Sequence, residues 1–338
     1  MKAILYKGKK NFVLENVPKP VLEKGEVLIE VKFAGICGSD LFIWLGKHQR
    51  IKSNTILGHE FSGKIVDIKE NGEESNLQIG DQVAVRPNFY CGVCDNCQRG
   101  LFHLCRSFGL YGIDADGGFA ELVKVKKENV VKTYNRVDYD ELALVEPLSV
   151  ALHAIRRSNF KVGDSVNILG GGPIGLLIAA ILKISGATRI NIFEINPFRM
   201  DKARNMGFSV IDSSKDKDSP DIPLNKMEAD VVFDTVGLKS TSRQLVNLVR
   251  YRGDIVIVGM YKEYAEVDLL AILYKEATIR GILIYEKEDV EKAVRLIDNH
   301  QIDLKSIITH KLTFENIQDS MQKIHQHEID ALKILLYP

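Results

Sequence analysis

The feature that most constrains the fold of this chain is a glycine-rich loop between a strand-like run and an apolar helical stretch. Gly170, Gly172 and Gly175 fit the pattern G-x-G-x-x-G, and Pro173 and Ile174 complete the loop. From Ile174 onward, apolar residues recur at i, i+3, i+4 and i+7, the spacing of a buried helical face. Such a loop lets the backbone approach a pyrophosphate, whose charge the helix N-terminus stabilises. We predict a dinucleotide site at these five residues; the alternative is a glycine turn with a structural role.

An acidic residue at the end of the next strand-like run bears on the choice of cofactor. Glu194 follows the run 189–193 and can accept hydrogen bonds from the ribose hydroxyls of the adenosine half. Its charge would repel a 2′-phosphate, so we expect NAD rather than NADP. Arg199 lies close by in the sequence and keeps NADP open as the alternative.

The predicted secondary structure of the chain changes near residue 142. At 338 residues it is long for one core, which suggests two domains. The first 150 residues are β-rich, whereas strands and helices then alternate, which predicts an α/β fold with a doubly wound parallel sheet. A strand at the end of the chain is expected to return to the first domain. We therefore predict a discontinuous first domain, interrupted by a second domain that holds the alternating strands and helices. The later strand-like runs are 166–169, 189–193, 230–233, 254–258 and 278–284.

Four of the five cysteines fall within one short segment, at Cys91, Cys94, Cys97 and Cys105. Thiolates at this loop spacing can close a tetrahedral zinc shell with no open position, as structural sites do. The clustering of these four thiols, in a chain whose total of five cysteines is odd, favours metal binding in a reducing compartment over disulfides, which remain the alternative. We predict a structural zinc lobe over residues 88–106.

The remaining cysteine, Cys37, belongs to a second candidate metal site. It is followed along the chain by His59 and Glu60, and thiolate, imidazole and carboxylate are ligands that zinc accepts. Three protein ligands would leave a fourth position open for substrate. Glu146 is a candidate third ligand, directly or through water; the alternative is an acid near a helix N-terminus with no further role.

The overall charge excludes several kinds of partner. Lys and Arg together number 45, as do Asp and Glu, so the formal net charge is zero. This balance gives no support to a nucleic-acid or anionic-membrane partner. The N-terminus lacks the apolar run of a signal peptide, and the apolar stretch around 174–184 is short for a transmembrane helix. We expect a cytoplasmic protein that acts on a small molecule.

Several motifs then occur together in a fixed order: GICGSD at 35–40, GHEFSG at 58–63, the four-cysteine lobe, DGGFAE at 116–121, EPLSVALHA at 146–154 and GGGPIG at 170–175. On these motifs the chain resembles the medium-chain, zinc-dependent alcohol dehydrogenases over nearly its full length, and especially their polyol (sorbitol-type) and threonine dehydrogenase branch. The resemblance implies a GroES-like catalytic domain at 1–150 and 286–338 and an inserted Rossmann domain at 151–285. It also implies two zinc ions per chain and a homo-oligomer, with a tetramer favoured over a dimer.

The resemblance also implies roles for individual residues. Cys37, His59 and Glu146 would hold the catalytic zinc, and Glu60 would be a neighbouring carboxylate able to exchange onto it. Ser39 would take the proton of the substrate hydroxyl. Asp40 would orient the ligand imidazole from behind.

The proton's onward route and the substrate pocket are less defined. Many relatives carry a His where this chain has Phe42, and His48 is a possible substitute. Trp44 could wall the substrate pocket or simply pack in the core, and Tyr111 is a weaker candidate for the same role.

The expected function is hydride transfer between a polyol or another secondary alcohol and NAD. Alternatives on the same chemistry are a threonine, 2,3-butanediol or sugar-alcohol-phosphate dehydrogenase. In the last case Lys47, Arg50 or Lys52 would meet the phosphate, unless they are ordinary surface charges. A non-catalytic dinucleotide-binding protein is the alternative from another functional class.

Overall fold

The computed structural model describes residues 1–72, 74–214 and 227–338, and these residues form two compact units. The first comprises Met1–Glu146 and Glu286–Pro338, and the second comprises Pro147–Tyr285. Most of the charged stretch 212–223, which the sequence predicts as a surface loop, lies outside the described residues. No helix in the described ranges is long and apolar enough to cross a membrane.

The first unit begins as a β-rich domain. Its strand β3 alternates buried and more exposed residues, with Val27, Ile29 and Val31 buried, as expected for a strand with one face on a core. The elements of this part are β1 (Lys2–Gly8), β2 (Asn11–Asn16), β3 (Glu26–Gly35), α1 (Gly38–Trp44), β4 (Glu60–Lys69), β5 (Gln82–Val85), β6 (Asn88–Phe89), α2 (Asp95–Gln98), β7 (Gly109–Leu110), β8 (Leu122–Lys126), β9 (Val130–Lys132) and α3 (Tyr139–Leu142).

The second unit is built on a six-stranded sheet with the order β12-β11-β10-β13-β14-β15, and every neighbouring pair is parallel. The strand order reverses beside β10, where doubly wound sheets bind their ligands. The predicted doubly wound sheet is confirmed. The elements are α4 (Val145–Arg157), which starts at the end of the first unit, β10 (Ser165–Leu169), α5 (Pro173–Ile184), β11 (Arg189–Glu194), α6 (Pro197–Asn205), β12 (Ser209–Asp212), β13 (Ala229–Asp234), α7 (Lys239–Ser242), α8 (Leu245–Leu248), β14 (Val249–Ile257), α9 (Leu269–Lys275) and β15 (Thr278–Gly281).

The chain then returns to the first unit. The last strand pairs antiparallel with β3, with Leu335 opposite Gly35. This completes a sheet with the order β16-β17-β3-β4-β5-β9, to which β8 adds by pairing with β3. The returning elements are α10 (Lys287–Asp298), β16 (Ile308–Thr313), α11 (Ile317–Gln326) and β17 (Lys333–Tyr337).

Candidate metal and cofactor sites

Cys37, His59 and Glu60 come together where β3, α1 and β4 meet. Cys37 immediately precedes α1, and its backbone N–H donates to the Asp40 carboxylate at 2.8 Å, which fixes the turn that carries the thiol. His59 and Glu60 stand at the start of β4 and are buried. One ligand atom from each of the three residues lies within 4.8 Å of the other two. The structure thus brings sulfur, nitrogen and oxygen donors to one point.

Glu60 is held in this group by a buried lysine that the sequence analysis missed. The Lys333 ammonium donates to the two Glu60 carboxylate oxygens at 2.8 and 2.6 Å, and to the Ile36 carbonyl at 3.2 Å. Both charged side chains are buried. Gly35 pairs with Glu60 across β3 and β4, and a Cβ on Gly35 would lie 2.1 Å from a Glu60 carboxylate oxygen, so glycine makes room for this arrangement. The available signal was a single lysine inside the apolar run 332–336.

Burial and charge act in opposite directions on the basic groups of this site. Burial is the largest single influence on His59 and favours its neutral form, but the Asp40 carboxylate, Cys37 and Glu146 together outweigh it and hold the pKa of His59 well above its usual range. For Lys333, burial is again the largest single influence and lowers the pKa, but Glu60, Cys37 and Glu146 together outweigh it, so the pKa of the ammonium is raised. Burial also raises the pKa of Asp40, despite the opposing charge of His59. A metal that binds His59 must therefore displace a proton.

The residues present fit a zinc ion with one open position. Their donors are those that zinc prefers, and Asp40 Oδ1 and His59 Nδ1 are buried without a hydrogen-bond partner among the described residues. These two atoms are 3.9 Å apart. Glu146 is half-buried in the first turn of α4 and does not belong to the close group found within the described ranges. Its charge nevertheless contributes to the raised pKa values of His59 and Lys333.

The other candidates around α1 divide into a polar residue and packing residues. Ser39 Oγ lies 3.4 Å from His59 Nε2. It is therefore next to the group formed by Cys37, His59 and Glu60, which we call the metal group. Trp44 is buried in the hydrophobic core, and its indole N–H donates to Gln318 Oε1 at 3.1 Å. Tyr111 is also a core residue, and its hydroxyl accepts the Lys126 N–H at 3.2 Å. Of the two interpretations of Trp44, the structure supports packing.

His48 and Arg50 follow on the next loop. The His48 ring lies edge-on to Phe42, with the ring centroids 6.5 Å apart, and its Nδ1 is buried with no hydrogen-bond partner in the described part of the chain. Arg50 donates to the Phe108 carbonyl at 2.9 Å and pairs with Asp114 at 3.2 Å. These contacts favour the interpretation of Arg50 as a surface charge.

The four cysteines of the predicted lobe converge without disulfides. Four of their sulfur–sulfur distances are between 3.5 and 4.0 Å. Zinc–sulfur bonds of about 2.3 Å in a tetrahedron put sulfurs about 3.8 Å apart, so the geometry fits a closed zinc shell. The backbone N–H of Arg106 lowers the pKa of Cys94 to about 6, whereas burial raises that of Cys97 to about 12. The thiols concerned are Cys91, Cys94, Cys97 and Cys105.

The glycine loop of the second unit has the form that a dinucleotide site needs. Gly170 follows β10 with φ +100°, and Gly172 is the N-cap of α5, which Pro173 and Ile174 begin. A Cβ on Gly175 would lie 2.0 Å from the Gly170 carbonyl oxygen. The helix N-terminus therefore packs against the turn with room for glycine alone.

Glu194 and Arg199 both lie at this loop. Glu194 is buried at the end of β11, and its carboxylate accepts the Gly171 N–H at 2.8 Å. The other carboxylate oxygen accepts the N–H groups of Ile195 and Asn196 at 2.7 and 2.9 Å. A Cβ on Gly172 would lie 4.0 Å from Arg199 Nη1. Glu194 thus fixes the turn of the glycine loop, and Arg199 lies near the same loop.

Known domain families and proteins resemble the chain over both units. Residues 23–135 match the family described as "Alcohol dehydrogenase GroES-like domain", and residues 173–299 match "Zinc-binding dehydrogenase". A 2-dehydro-3-deoxy-L-galactonate 5-dehydrogenase of Pseudoalteromonas atlantica is 37% identical over 91% of each chain. An (R,R)-butanediol dehydrogenase of Bacillus subtilis is 34% identical over 100% of each chain. The crystal structure of galactitol-1-phosphate dehydrogenase from Escherichia coli has a TM-score of 0.91 at 26% identity and covers 100% of both chains.

Proposed function

Because the chain belongs to the medium-chain zinc-dependent alcohol dehydrogenase family and is therefore an oxidoreductase, we propose that it transfers hydride between a polyol or another secondary alcohol and NAD. The observation that carries this proposal is the convergence of Cys37, His59 and Glu60 within 4.8 Å in the first unit. We assign catalysis to residues 1–150 and 286–338 and cofactor binding to 151–285, in a cytoplasmic enzyme. One catalytic and one structural zinc ion per chain complete the proposal.

The chain's own residues then have distinct tasks. Cys37 and His59 hold the catalytic ion, and Glu146 or Glu60 supplies a carboxylate. Zinc at this position supplies a Lewis acid that lowers the pKa of the substrate hydroxyl. We assign the uptake of the hydroxyl proton to Ser39, and its position 3.4 Å from His59 Nε2 supports this role.

The cofactor's tasks fall to the second unit. The nicotinamide supplies the hydride acceptor, while the glycine loop binds the pyrophosphate. Glu194 favours an unmodified adenosine ribose and hence NAD, because its buried carboxylate lies at the loop. Arg199 is the residue through which NADP would be accepted.

The names of the relatives indicate the substrate class. They include enzymes of butanediol, sorbitol and threonine, and one that acts on a 2-dehydro-3-deoxy-galactonate. A secondary alcohol with an oxygen or nitrogen on the adjoining carbon suits butanediol, sorbitol and threonine. A phosphorylated sugar alcohol is less favoured because Arg50 is engaged by Asp114.

The test is to assay a panel of polyols, sugar acids, diols, threonine and sugar-alcohol phosphates with protein of known zinc content. Turnover is measured by the absorbance of the NADH that forms. We expect turnover with a vicinal diol or polyol and NAD, at two zinc ions per chain. Full activity in zinc-free protein would contradict the zinc chemistry. NADH binding without turnover on any alcohol would favour the non-catalytic dinucleotide-binding protein.

We further propose that the chain forms a homo-oligomer through the β15 edge of its second unit. Helix α9 has no buried residue, and its Leu269, Leu270, Leu273 and Tyr274 are between 61 and 72% exposed. Strand β15, which follows α9 in the chain, is the last strand of the sheet, and one of its backbone edges pairs with no other strand in the described part of the chain. Large apolar patches and open edges are normally covered, and a second copy related by a twofold axis would cover both.

Sedimentation velocity tests this assembly directly. Leu273→Glu should shift the protein to a smaller species, because it places a charge in the apolar surface. Ile79→Glu is the matched control, since Ile79 is an exposed apolar residue of the first unit. An unchanged sedimentation coefficient for Leu273→Glu would contradict this interface, and a dimeric rather than tetrameric wild type would correct the subunit number.

A further inference from the structure

A buried carboxylate joins two loops at the carboxyl ends of β13 and β14. Asp234, the last residue of β13, is fully buried. One carboxylate oxygen accepts the N–H groups of Val236 and Gly237 at 3.0 and 3.2 Å. The other accepts the hydroxyl of Thr241 at 3.1 Å and that of Tyr261. A buried carboxylate is costly unless it is satisfied in this way, so these donors are held firmly.

Tyr261 comes from the loop after β14, so its bond crosses from one loop to the other. Met260 and Tyr264 on the same loop are exposed, whereas Tyr261 turns inward. Burial, together with the bond to Asp234, raises the pKa of Tyr261, which keeps the phenol protonated as a donor.

The two loops are also in backbone contact. The Asp234 carbonyl accepts the N–H groups of Val258 and Gly259 at 2.9 and 2.8 Å. A Cβ on Gly259 would lie 2.5 Å from the Gly237 nitrogen, so these glycines permit the close approach. The loops therefore form one continuous surface, and the buried hydrogen bond from Tyr261 to Asp234 holds them together.

The position of this surface in the sheet identifies what it faces. Strand β10, with its glycine loop, lies between β11, which ends at Glu194, and β13, which ends at Asp234. A dinucleotide lies across the carboxyl ends of such a sheet at the point where the strand order reverses. If its adenosine half lies at Glu194, the other half extends over the ends of β13 and β14.

We propose that Tyr261 and Asp234 are positioning residues for the nicotinamide half of the cofactor, because their hydrogen bond pre-forms the surface on which that half lies. The inference rests on the dinucleotide binding proposed above. Pre-forming a binding surface lowers the ordering cost of binding and so tightens it. The adenosine half, on the other side of β10, should not depend on this bond.

The experiment compares two ligands that differ only in the nicotinamide. Dissociation constants for NADH and for ADP-ribose are measured by calorimetry on the wild type, on Tyr261→Phe and on the control Tyr264→Phe. Tyr264 lies on the same loop and is 99% exposed, so its hydroxyl has no comparable role. We expect Tyr261→Phe to weaken NADH binding on the order of tenfold. Its affinity for ADP-ribose, and both affinities of Tyr264→Phe, should match the wild type.

The outcomes separate this inference from the proposed function. Equal weakening of NADH and ADP-ribose would mean a general loosening of the domain and would overturn the inference. Unchanged NADH binding by Tyr261→Phe would overturn it as well. In either case wild-type binding of NADH would leave the proposed cofactor standing. A wild type that binds neither ligand, nor NADPH, would instead refute the cofactor and the inference together.

Discussion

The buried pair of Lys333 and Glu60 allows a quantitative test of the metal-site geometry. Lys333→Met keeps most of the side chain's length and apolar stem but removes the ammonium that contacts both Glu60 oxygens and the Ile36 carbonyl. Among the described residues, no other lysine or arginine then pairs with the Glu60 carboxylate, which is 1% exposed.

The cost follows from the burial of the pair. Breaking a buried ion pair by removing one partner costs about 3–5 kcal/mol, because the remaining charge is neither solvated nor paired. An exposed pair is worth about 0–1 kcal/mol. The chain offers such a control in Lys305 and Asp138, whose atoms are 2.6 Å apart with side chains 59 and 63% exposed. Lys333→Met should therefore destabilise several times more than Lys305→Met.

The assay is urea unfolding of zinc-free protein followed by tryptophan fluorescence. Trp44 is the only tryptophan and is buried in the first unit, so it reports the unfolding of the unit that contains the pair. The double variant Glu60→Gln/Lys333→Met should cost less than the sum of the single changes, with a coupling of about 2–3 kcal/mol. Zinc should reduce the penalty of Lys333→Met, because the metal replaces the lost positive charge beside Glu60.

A Lys333→Met penalty no greater than that of Lys305→Met would refute this reasoning. It would mean that Glu60 is solvated or protonated in the folded protein. If Lys333→Met lowered the free energy of unfolding equally with and without zinc, the metal would not interact with Glu60. Zinc content must be measured in each sample, because loss of the ion from the four-cysteine lobe would also destabilise the unit.

Three further results are expected from changes at the metal and cofactor groups. Cys37→Ser should abolish turnover but leave NADH binding intact in calorimetry, because the thiol belongs to the metal group of the first unit; retained turnover would contradict its role as a ligand. Cys94→Ser should lower the melting temperature and the zinc content by one ion per chain, and lost activity at unchanged stability would contradict a structural lobe. Gly175→Ala should weaken NADH binding at unchanged zinc content, because its Cβ would lie 2.0 Å from the Gly170 carbonyl oxygen; tight NADH binding by this variant would contradict the role of the glycine loop.

Sequence reasoning succeeded where the determinants of structure are close together in the chain. The four cysteines lie on one loop segment, and a glycine loop between a strand and a helix fixes its own geometry, so spacing alone predicts both arrangements. The alternation of strands and helices likewise predicts the parallel sheet. The sequence leaves the role of Trp44 open, because an aromatic residue beside a candidate site has the same local sequence whether it lines a pocket or packs in a core.

The partners that were missed are distant in sequence. Lys333 is 273 positions from Glu60, and only the pairing of β17 with β3 and of β3 with β4 brings them together. Tyr261 and Asp234 are 27 positions apart, on loops that follow different strands. No local pattern encodes such contacts, although a lone lysine in an apolar strand indicates that a buried partner must exist.

The same strand pairing bears on which carboxylate belongs to the metal group. Three features fix the position of Glu60. The register of β4 against β3 sets its backbone, and the ion pair with Lys333 holds its side chain. Gly35 has no Cβ and therefore leaves room for the carboxylate. Because Lys333 contacts both carboxylate oxygens, Glu60 can bind a metal only by sharing or leaving that ion pair. Glu146 is on a separate element, the first turn of α4, and its charge acts on both His59 and Lys333. In the proposed zinc site, this ion pair therefore favours Glu146 over Glu60 as the carboxylate ligand, and Lys333→Met should shift coordination toward Glu60.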